Sequence, residues 1–379
     1  MTPSPAPLPP SRARRWLSRL GLVVGGLVVG VIAAELLARL IEPHGAADIL
    51  FNAPGNAPDG LYVTDKELLH RPNPGLNVTV RSLGYEVPIR VNSLGLRGAE
   101  PGPETTTPRW LIQGDSFTFA AQVREEETTT VKLGALLGWE TFNGGADAWG
   151  THQAAPLFRR LAEPLGLDGL VIVFFLGNDL FDNERYPMER QRHASRPDGN
   201  PMVGGFTHPV VRFFTRRSYL LGQWRVQSAL REFAREGSPE RGRWRGELRL
   251  FTQEGQGELG GKLRATETAL LAAKRATEER GAKLVVAIAP PAFVVEEDRL
   301  APTFGLVGLD PAKAELDGPE RQVKALLDRL GVASCSLTEP LRAAAKAGEA
   351  PYFQYDGHWT AAGHTVVAQT LASCLETPR

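Results

Sequence analysis

Residues 108–119 have the sequence PRWLIQGDSFTF. A short, mostly apolar run leads through Gly114 and Asp115 to Ser116, and a helical pattern follows. This order predicts a buried strand and a sharp turn, because glycine permits the turn and aspartate can hydrogen-bond the backbone within it. Taken alone, the serine also fits the N-cap of a helix. In an open parallel sheet, however, ligands bind beyond the carboxyl ends of the strands, so we expect Ser116 to face a substrate.

Beyond this stretch the chain alternates apolar strands with amphipathic helices. Strands are predicted at residues 110–113, 140–142, 170–176, 283–289 and 332–337. Helices are predicted at about residues 128–137, 154–165, 267–280, 319–330 and 360–375. Such alternation is typical of a parallel sheet covered by helices on both faces. The sequence therefore predicts an α/β fold with a parallel sheet of about five strands.

The N-terminus is first cationic and then apolar. Residues 1–15 predict a cytoplasmic tail, and residues 16–41 predict a transmembrane helix. The uncharged core, Leu20 to Ala34, is short for a membrane span, so a signal peptide is the alternative. The arginines before this segment place the N-terminus inside in either case. We therefore expect a single-pass membrane protein whose main domain is periplasmic or extracellular.

Two segments differ in composition from the predicted α/β domain, residues 108–379. Residues 42–107 are rich in Pro, Gly and Asn and predict a juxtamembrane arm with a small β region, with strand-like pieces at 77–81 and 86–91. At about residues 182–261 the alternation stops for too long to be an ordinary crossover, which predicts a helical insertion. Its arginines are either solvated or contact anionic lipid headgroups or an acidic glycan.

The composition argues against several classes of function. Lys plus Arg and Asp plus Glu number 43 each, so no net charge favours binding to nucleic acid. Cys335 and Cys374 are the two cysteines, too few and too far apart for a zinc cluster of paired spacing, and we expect neither a metal nor a cofactor. They form one disulfide if the domain lies outside the cytoplasm, or are both small buried apolar residues.

Two further strand ends carry groups suited to stabilising negative charge. The second strand leads into residues 143–151, NGGADAWGT, whose backbone N–H groups can point inward. The third strand ends at Gly177, Asn178 and Asp179. An asparagine amide at this edge can donate a hydrogen bond to a developing oxyanion.

The candidate base lies near the C-terminus, between the last strand and the closing helix. Asp356 and His358 are two residues apart there, so in an extended loop their side chains point to the same side. The pattern predicts Ser116 as nucleophile, His358 as base and Asp356 as the group that orients the base. His152 is a weaker candidate for the base, and His364 is predicted to pack within the closing helix or to lie on its surface.

Together these residues resemble the SGNH (GDSL-type) hydrolase family, which is named for Ser, Gly, Asn and His in four separate blocks. The four similar blocks here span roughly residues 108–375 and are Gly114-Asp115-Ser116, residues 143–151, residues 177–179, and Asp356 with His358. The strings GDSFTF (114–119) and NSLGLRG (92–98) further resemble membrane-anchored bacterial members. The resemblance implies a flavodoxin-like three-layer sandwich, metal-free ester hydrolysis and a Ser-His-Asp triad.

Three positions depart from the family pattern. The second-block glycine falls on Ala148, with Gly145 as the other choice. The predicted oxyanion donors are therefore the N–H of Ser116, the N–H of one of these two residues, and the amide of Asn178. The third block has no residue between its glycine and its asparagine. The last block is Asp-x-His, a shortening also characteristic of alginate-type O-acetyltransferase relatives.

The sequence thus predicts an extracytoplasmic serine esterase or deacylase that forms an acyl-enzyme. Its expected substrate is an acylated small molecule, an O-acylated glycan or a lipid. Two alternatives remain open: an O-acetyltransferase that uses the same triad, and a non-catalytic envelope binding protein with a degenerate site.

Overall fold

The computed structural model describes residues 12–41, 60–82, 85–103, 106–194, 237–354 and 356–376, with isolated positions between 218 and 235. Most of the predicted cytoplasmic tail, the first part of the predicted arm and the centre of the predicted insertion lie outside the described residues. The chain divides into two compact units, residues 1–50 with 207–229, and residues 51–206 with 230–379.

The first unit contains one long apolar helix, α1 (Arg12–Ile41). Its 23-residue stretch Trp16–Ala38 contains an 18-residue window with a mean hydropathy of 2.4, and this window is not buried against protein. By length and composition this stretch can cross a membrane, which fits both an anchor and a signal sequence. Within this unit Glu35 accepts hydrogen bonds from Ser218 Oγ at 2.9 Å and from the Leu220 N–H at 3.1 Å. The acidic group on the apolar helix therefore has polar partners.

The second unit begins with two antiparallel hairpins. Strand β1 (Tyr62–Asp65) pairs with β2 (Leu69–Pro72), and β3 (Asn77–Ser82) pairs with β4 (Tyr85–Arg90). The sequence predicted the second hairpin but not the first, whose short strands are flanked by charged residues that hide the alternation. Both hairpins pack into the same apolar core as the main sheet. The described part of the arm is therefore integral to this unit.

The main sheet has five strands, all parallel. They are β5 (Arg109–Gly114), β6 (Glu140–Gly145), β7 (Gly169–Phe175), β8 (Lys283–Ala289) and β9 (Ala333–Ser336). Their spatial order is β6-β5-β7-β8-β9. This is the order of flavodoxin-like sheets, in which the strand order reverses beside the first strand. The predicted α/β fold and sheet are confirmed.

Helices cover both faces of this sheet. They are α2 (Ser116–Phe119), α3 (Thr129–Leu137), α4 (Ala154–Leu165), α5 (Asp179–Ala194), α6 (Pro239–Arg249), α7 (Leu259–Glu278), α8 (Ala292–Val295), α9 (Leu300–Val307), α10 (Gly318–Leu330), α11 (Thr338–Lys346) and α12 (Ala361–Glu376). Helix α7 begins eight residues before its predicted start at Glu267, because the low helix propensity of Gly260 and Gly261 hides the first turns.

Strand β5 shows why the unit has three layers. Leu111 joins the core formed with α4 and α7, whereas Trp110 and Ile112 join the core formed with α3 and α12. Successive side chains of a strand point to opposite faces, so one buried strand supplies both cores. All three side chains are almost fully buried. Each such burial stabilises the fold by roughly 1.5–3 kcal/mol.

A disulfide joins the edge strand of the sheet to the last helix. Cys335 of β9 is bonded to Cys374 of α12, with a Cα–Cα distance of 6.2 Å and a sequence separation of 39. Of the two alternatives for these cysteines, the structure has the bridge. The bridge attaches the helix that follows the predicted catalytic loop to the sheet.

We expect Cys374→Ala to lower the free energy of unfolding by about 2–4 kcal/mol, because a loop of this length restricts the unfolded chain. Denaturant unfolding under non-reducing conditions measures the change. Ser373→Ala, at the exposed neighbouring position of the same helix, is the control and should change stability little. Alkylation of both thiols in denatured, unreduced wild-type protein would contradict the bridge.

Candidate active site

The turn that carries Ser116 is set by the two residues before it. A side chain at Gly114 would place its Cβ 2.3 Å from Thr118 Oγ1 and 3.0 Å from the Val173 carbonyl oxygen, so glycine is required there. Asp115 caps α2 by accepting a hydrogen bond from the Phe117 N–H at 2.9 Å. The serine therefore begins a short helix at the carboxyl end of β5, where the sequence predicts it.

The structure brings Ser116, His358 and Asp356 together. His358 Nε2 lies 2.7 Å from Ser116 Oγ, and His358 Nδ1 is hydrogen-bonded to Asp356 Oδ1. Gly357 between the two has a φ of +79°, a left-handed conformation that favours glycine and bends the loop. With Nδ1–H donating to the carboxylate, Nε2 can accept the serine proton. This is the arrangement by which a histidine acts as a base toward a serine.

The two other candidate histidines, His152 and His364, have other contacts. His364 is buried, and its Nδ1 accepts a hydrogen bond from the Thr129 N–H at 3.2 Å, which agrees with its predicted packing role. His152 stacks on Tyr186 with ring centroids 4.5 Å apart. In the part of the chain that the structure describes, His358 alone among the histidines contacts Ser116.

The two candidates for the second-block donor differ in what their N–H groups do. The N–H of Gly145 already donates to Asn143 Oδ1 at 3.1 Å, and a Cβ here would lie 2.3 Å from the Phe119 nitrogen. Ala148 is exposed and has a φ of +59°, the conformation that glycine adopts most readily. Among the described residues its N–H has no acceptor, so the geometry favours Ala148 as donor.

Two other candidate donors also have no hydrogen-bond acceptor among the described residues. Within the described ranges the N–H of Ser116 and the side-chain amide of Asn178 have no hydrogen-bond partner. Asn178 directly precedes α5 at the carboxyl end of β7, next to the end of β5. A donor without an intramolecular partner can bind a substrate oxygen without first breaking a hydrogen bond. The site thus offers amide N–H groups from three neighbouring strand ends.

Buried carboxyl groups lie at the strand ends that form the site. Burial raises the pKa of Asp115 to about 7 and that of Asp147 to about 6, and it raises the pKa of Asp179 well above its ordinary value. Burial alone would lower the pKa of His358, but the charge and hydrogen bond of Asp356 outweigh it and raise the pKa above the ordinary value. The negative charge of Asp356 therefore favours the charged form of the His358 ring.

Arg97 supports the backbone that follows Ser116, a role that no pattern in the sequence predicted. This buried arginine belongs to the string NSLGLRG, and it donates to the carbonyl oxygens of Phe119, Ala120 and Val123. Ala120 ends α2 in a left-handed conformation. The guanidinium thus holds the backbone that follows Ser116. The string itself was the available signal, but no spacing rule connects it to those carbonyl groups.

The first hairpin supports the turn that carries Ala148. His70 Nε2 donates to the Asp147 carbonyl oxygen at 2.7 Å, and Tyr62 Oη accepts from the Asp147 N–H at 3.1 Å. Trp149 Nε1 donates to the His70 carbonyl oxygen at 3.0 Å. Burial lowers the pKa of His70 to about 4, so the ring is neutral at neutral pH and keeps an acceptor nitrogen. Nothing in the local sequence indicated this role.

Residues 250–378 match the family model of the SGNH hydrolase-like domain of the acetyltransferase AlgX. This match identifies residues 250–378 as SGNH hydrolase-like. The matched residues include the Asp-x-His block, whereas Ser116 and Asn178 lie upstream of the match and reach the same site through the fold. No curated protein matches the chain.

Several solved structures are similar to this chain. A catalytic variant of the acetylxylan esterase Axe2 from Geobacillus stearothermophilus is 11% identical, with 72% of this chain and 95% of that chain covered and a TM-score of 0.38. The carbohydrate acetylesterase Est24 from Sinorhizobium meliloti is 13% identical, with 71% and 98% covered and a TM-score of 0.37. A GDSL-like lipase from Bacteroides thetaiotaomicron is 11% identical, with 73% and 92% covered and a TM-score of 0.36.

We expect His358 to titrate above the reference value of about 6.5, because the neighbouring carboxylate favours its charged form. Asp356→Asn should lower this pKa, since burial, which disfavours the imidazolium, then loses its main opposing contribution. NMR titration of the histidine ring in the detergent-solubilised full chain measures both values. His152, whose pKa is lowered by burial, is the internal control and should be unaffected. An unchanged His358 pKa in Asp356→Asn would contradict the assignment.

Proposed function

We propose that this chain is a serine ester hydrolase that removes acyl groups through an acyl-enzyme on Ser116. The observation that carries the proposal is the continuous hydrogen-bonded path from Ser116 Oγ through the His358 ring to Asp356. A serine hydroxyl is a weak nucleophile until a base within hydrogen-bond reach takes its proton. Here His358 is in contact with the serine, and the Asp356 carboxylate fixes the tautomer of the histidine ring.

In the proposed mechanism His358 Nε2 accepts the proton as Ser116 Oγ attacks the ester carbonyl carbon. The N–H groups of Ser116 and Ala148 and the amide of Asn178 stabilise the resulting oxyanion. The tetrahedral intermediate collapses, the C–O bond to the alcohol breaks, and the imidazolium protonates the departing alcohol. Water then attacks the acyl-serine with His358 again as base, which releases the carboxylic acid and restores the serine.

We place this reaction outside the cytoplasm. The apolar stretch of α1, Trp16–Ala38, follows three arginines in the first turn of the helix, which supports an N-terminus on the cytoplasmic side. The disulfide between Cys335 and Cys374 supports an oxidising compartment. In that location an O-acylated glycan or a lipid is the substrate class that we propose.

A second candidate is an O-acetyltransferase. The match of residues 250–378 to a domain of the acetyltransferase AlgX favours it, and so does the Asp-x-His spacing. The first half of the reaction would be the same, and a sugar hydroxyl would replace water as the acceptor of the acyl group. An acetyl donor labelled in its acyl group distinguishes the two, because the label appears either as free acetate or on the sugar.

A serine-directed phosphonate tests the shared acyl-enzyme step. We expect it to label Ser116 in the wild type, and to label neither Ser116→Ala nor His358→Ala at a comparable rate. His152→Ala should react like the wild type, because this histidine does not contact the serine. A folded wild-type protein that resists labelling would refute the catalytic proposal in favour of a binding protein with a degenerate site.

We expect Asn178→Ala to retain the fold and to lower turnover of an acetyl ester by roughly 10²- to 10³-fold, a typical loss when one oxyanion donor is removed. The Michaelis constant should change less, since the donor acts mainly on charge that develops in the transition state. Steady-state kinetics at saturating ester measure the loss. Full turnover in Asn178→Ala would exclude this residue from the oxyanion site.

A further inference from the structure

The carboxylate behind His358 has a second partner that comes from the N-terminal hairpins. The hydroxyl of Tyr85, at the start of β4, donates to Asp356 Oδ2 at 3.0 Å, across 271 positions of the chain. Nothing in the sequence near Tyr85 indicates a role in the site. Tyr85 and Asp356 both belong to the second compact unit, so the contact is made within that unit.

The hydrogen bonds divide the two oxygens of Asp356 between two sides. Oδ1 accepts from the ring Nδ1 and from the backbone N–H of His358, the latter at 3.2 Å. Oδ2 accepts from the tyrosine. A donor on the second oxygen restricts rotation of the carboxylate about its Cβ–Cγ bond. The Tyr85 hydroxyl therefore contributes to the direction in which Oδ1 points.

The loop that holds the carboxylate also rests on the ring of Tyr85. The Phe353 N–H donates to the His358 carbonyl oxygen at 2.9 Å, and the Gly357 N–H donates to the Phe353 carbonyl oxygen at 3.1 Å, which closes the loop into a compact turn. The ring of Phe353 packs against the ring of Tyr85 with centroids 5.6 Å apart. The tyrosine thus contacts the base of the turn with its ring and the carboxylate with its hydroxyl.

We propose that Tyr85 is a positioning residue for the catalytic aspartate, so that the relay runs from Tyr85 through Asp356 and His358 to Ser116. The inference rests on the proposed function and extends it, because it assigns part of the catalytic machinery to the arm that precedes the α/β domain. If Tyr85 only packed against Phe353, its ring would be sufficient, and the Tyr85→Phe variant keeps that ring. The hydroxyl is therefore the group to remove.

The experiment is a double-mutant cycle between Tyr85→Phe and Asp356→Ala in the full-length protein, with the rate of phosphonate labelling and the kcat on an acetyl ester as readouts. Tyr85→Phe should lower both by roughly tenfold, the effect of losing one hydrogen bond to a charged group, with little change in KM. In the Asp356→Ala background it should have no further effect, because the acceptor is gone.

Tyr186→Phe is the matched control. Its hydroxyl donates to the Glu67 carbonyl oxygen at 2.8 Å, so it loses a comparable hydrogen bond outside the relay, and it should keep the wild-type kcat. A wild-type rate in Tyr85→Phe overturns the inference, as does an equal loss in the presence and absence of Asp356. Either result leaves the proposed function intact.

A second readout does not depend on activity. The proton between His358 Nδ1 and Asp356 gives a downfield NMR signal, which should shift or broaden in Tyr85→Phe but not in Tyr186→Phe. A wild type that neither labels nor turns over would refute the proposed function, and this signal would still report whether Tyr85 orients the carboxylate. An unchanged signal in Tyr85→Phe overturns the inference.

Discussion

The hydrogen bond between His358 Nε2 and Ser116 Oγ joins groups 242 positions apart in the chain. No local structure can create such a contact. It exists because parallel strands all end at one edge of the sheet, so turns that follow different strands meet there. The hydroxyl follows β5, whereas the imidazole lies between β9 and α12, and the disulfide at Cys374 ties that last helix to the sheet. The register of the sheet therefore controls the chemistry.

Much of the fold could be predicted from the sequence because it depends on short-range rules. Alternating apolar runs predicted the strands, and the spacing of Asp356 and His358 predicted that their side chains point together. Charged residues hid the first hairpin, and glycines hid the start of α7. The Gly145 and Ala148 alternatives could not be separated, because the answer depends on the side chain of Asn143, which takes the Gly145 N–H.

The long-range contacts that support the site could not be predicted by such short-range rules. Arg97 holds carbonyl groups on a segment that begins more than twenty residues later, and His70 holds the carbonyl of Asp147. Each contact crosses from the arm to the main sheet, between segments that share no periodicity. Removal of a buried arginine that donates to backbone carbonyl groups is strongly destabilising, because those carbonyl groups are left without a donor. The arm predicted from composition as a separate region is, where described, part of the site.

The distance along the chain between Ser116 and His358 also has a consequence in time. A ribosome makes Ser116 long before it makes His358, and the N-terminal hairpins earlier still. Until the last helix has been synthesised and packed, the serine is an ordinary hydroxyl with no imidazole beside it. Under the proposed function the nascent chain therefore does not react with esters while it is made and folded. Its reactivity begins only when the two ends of the unit have met.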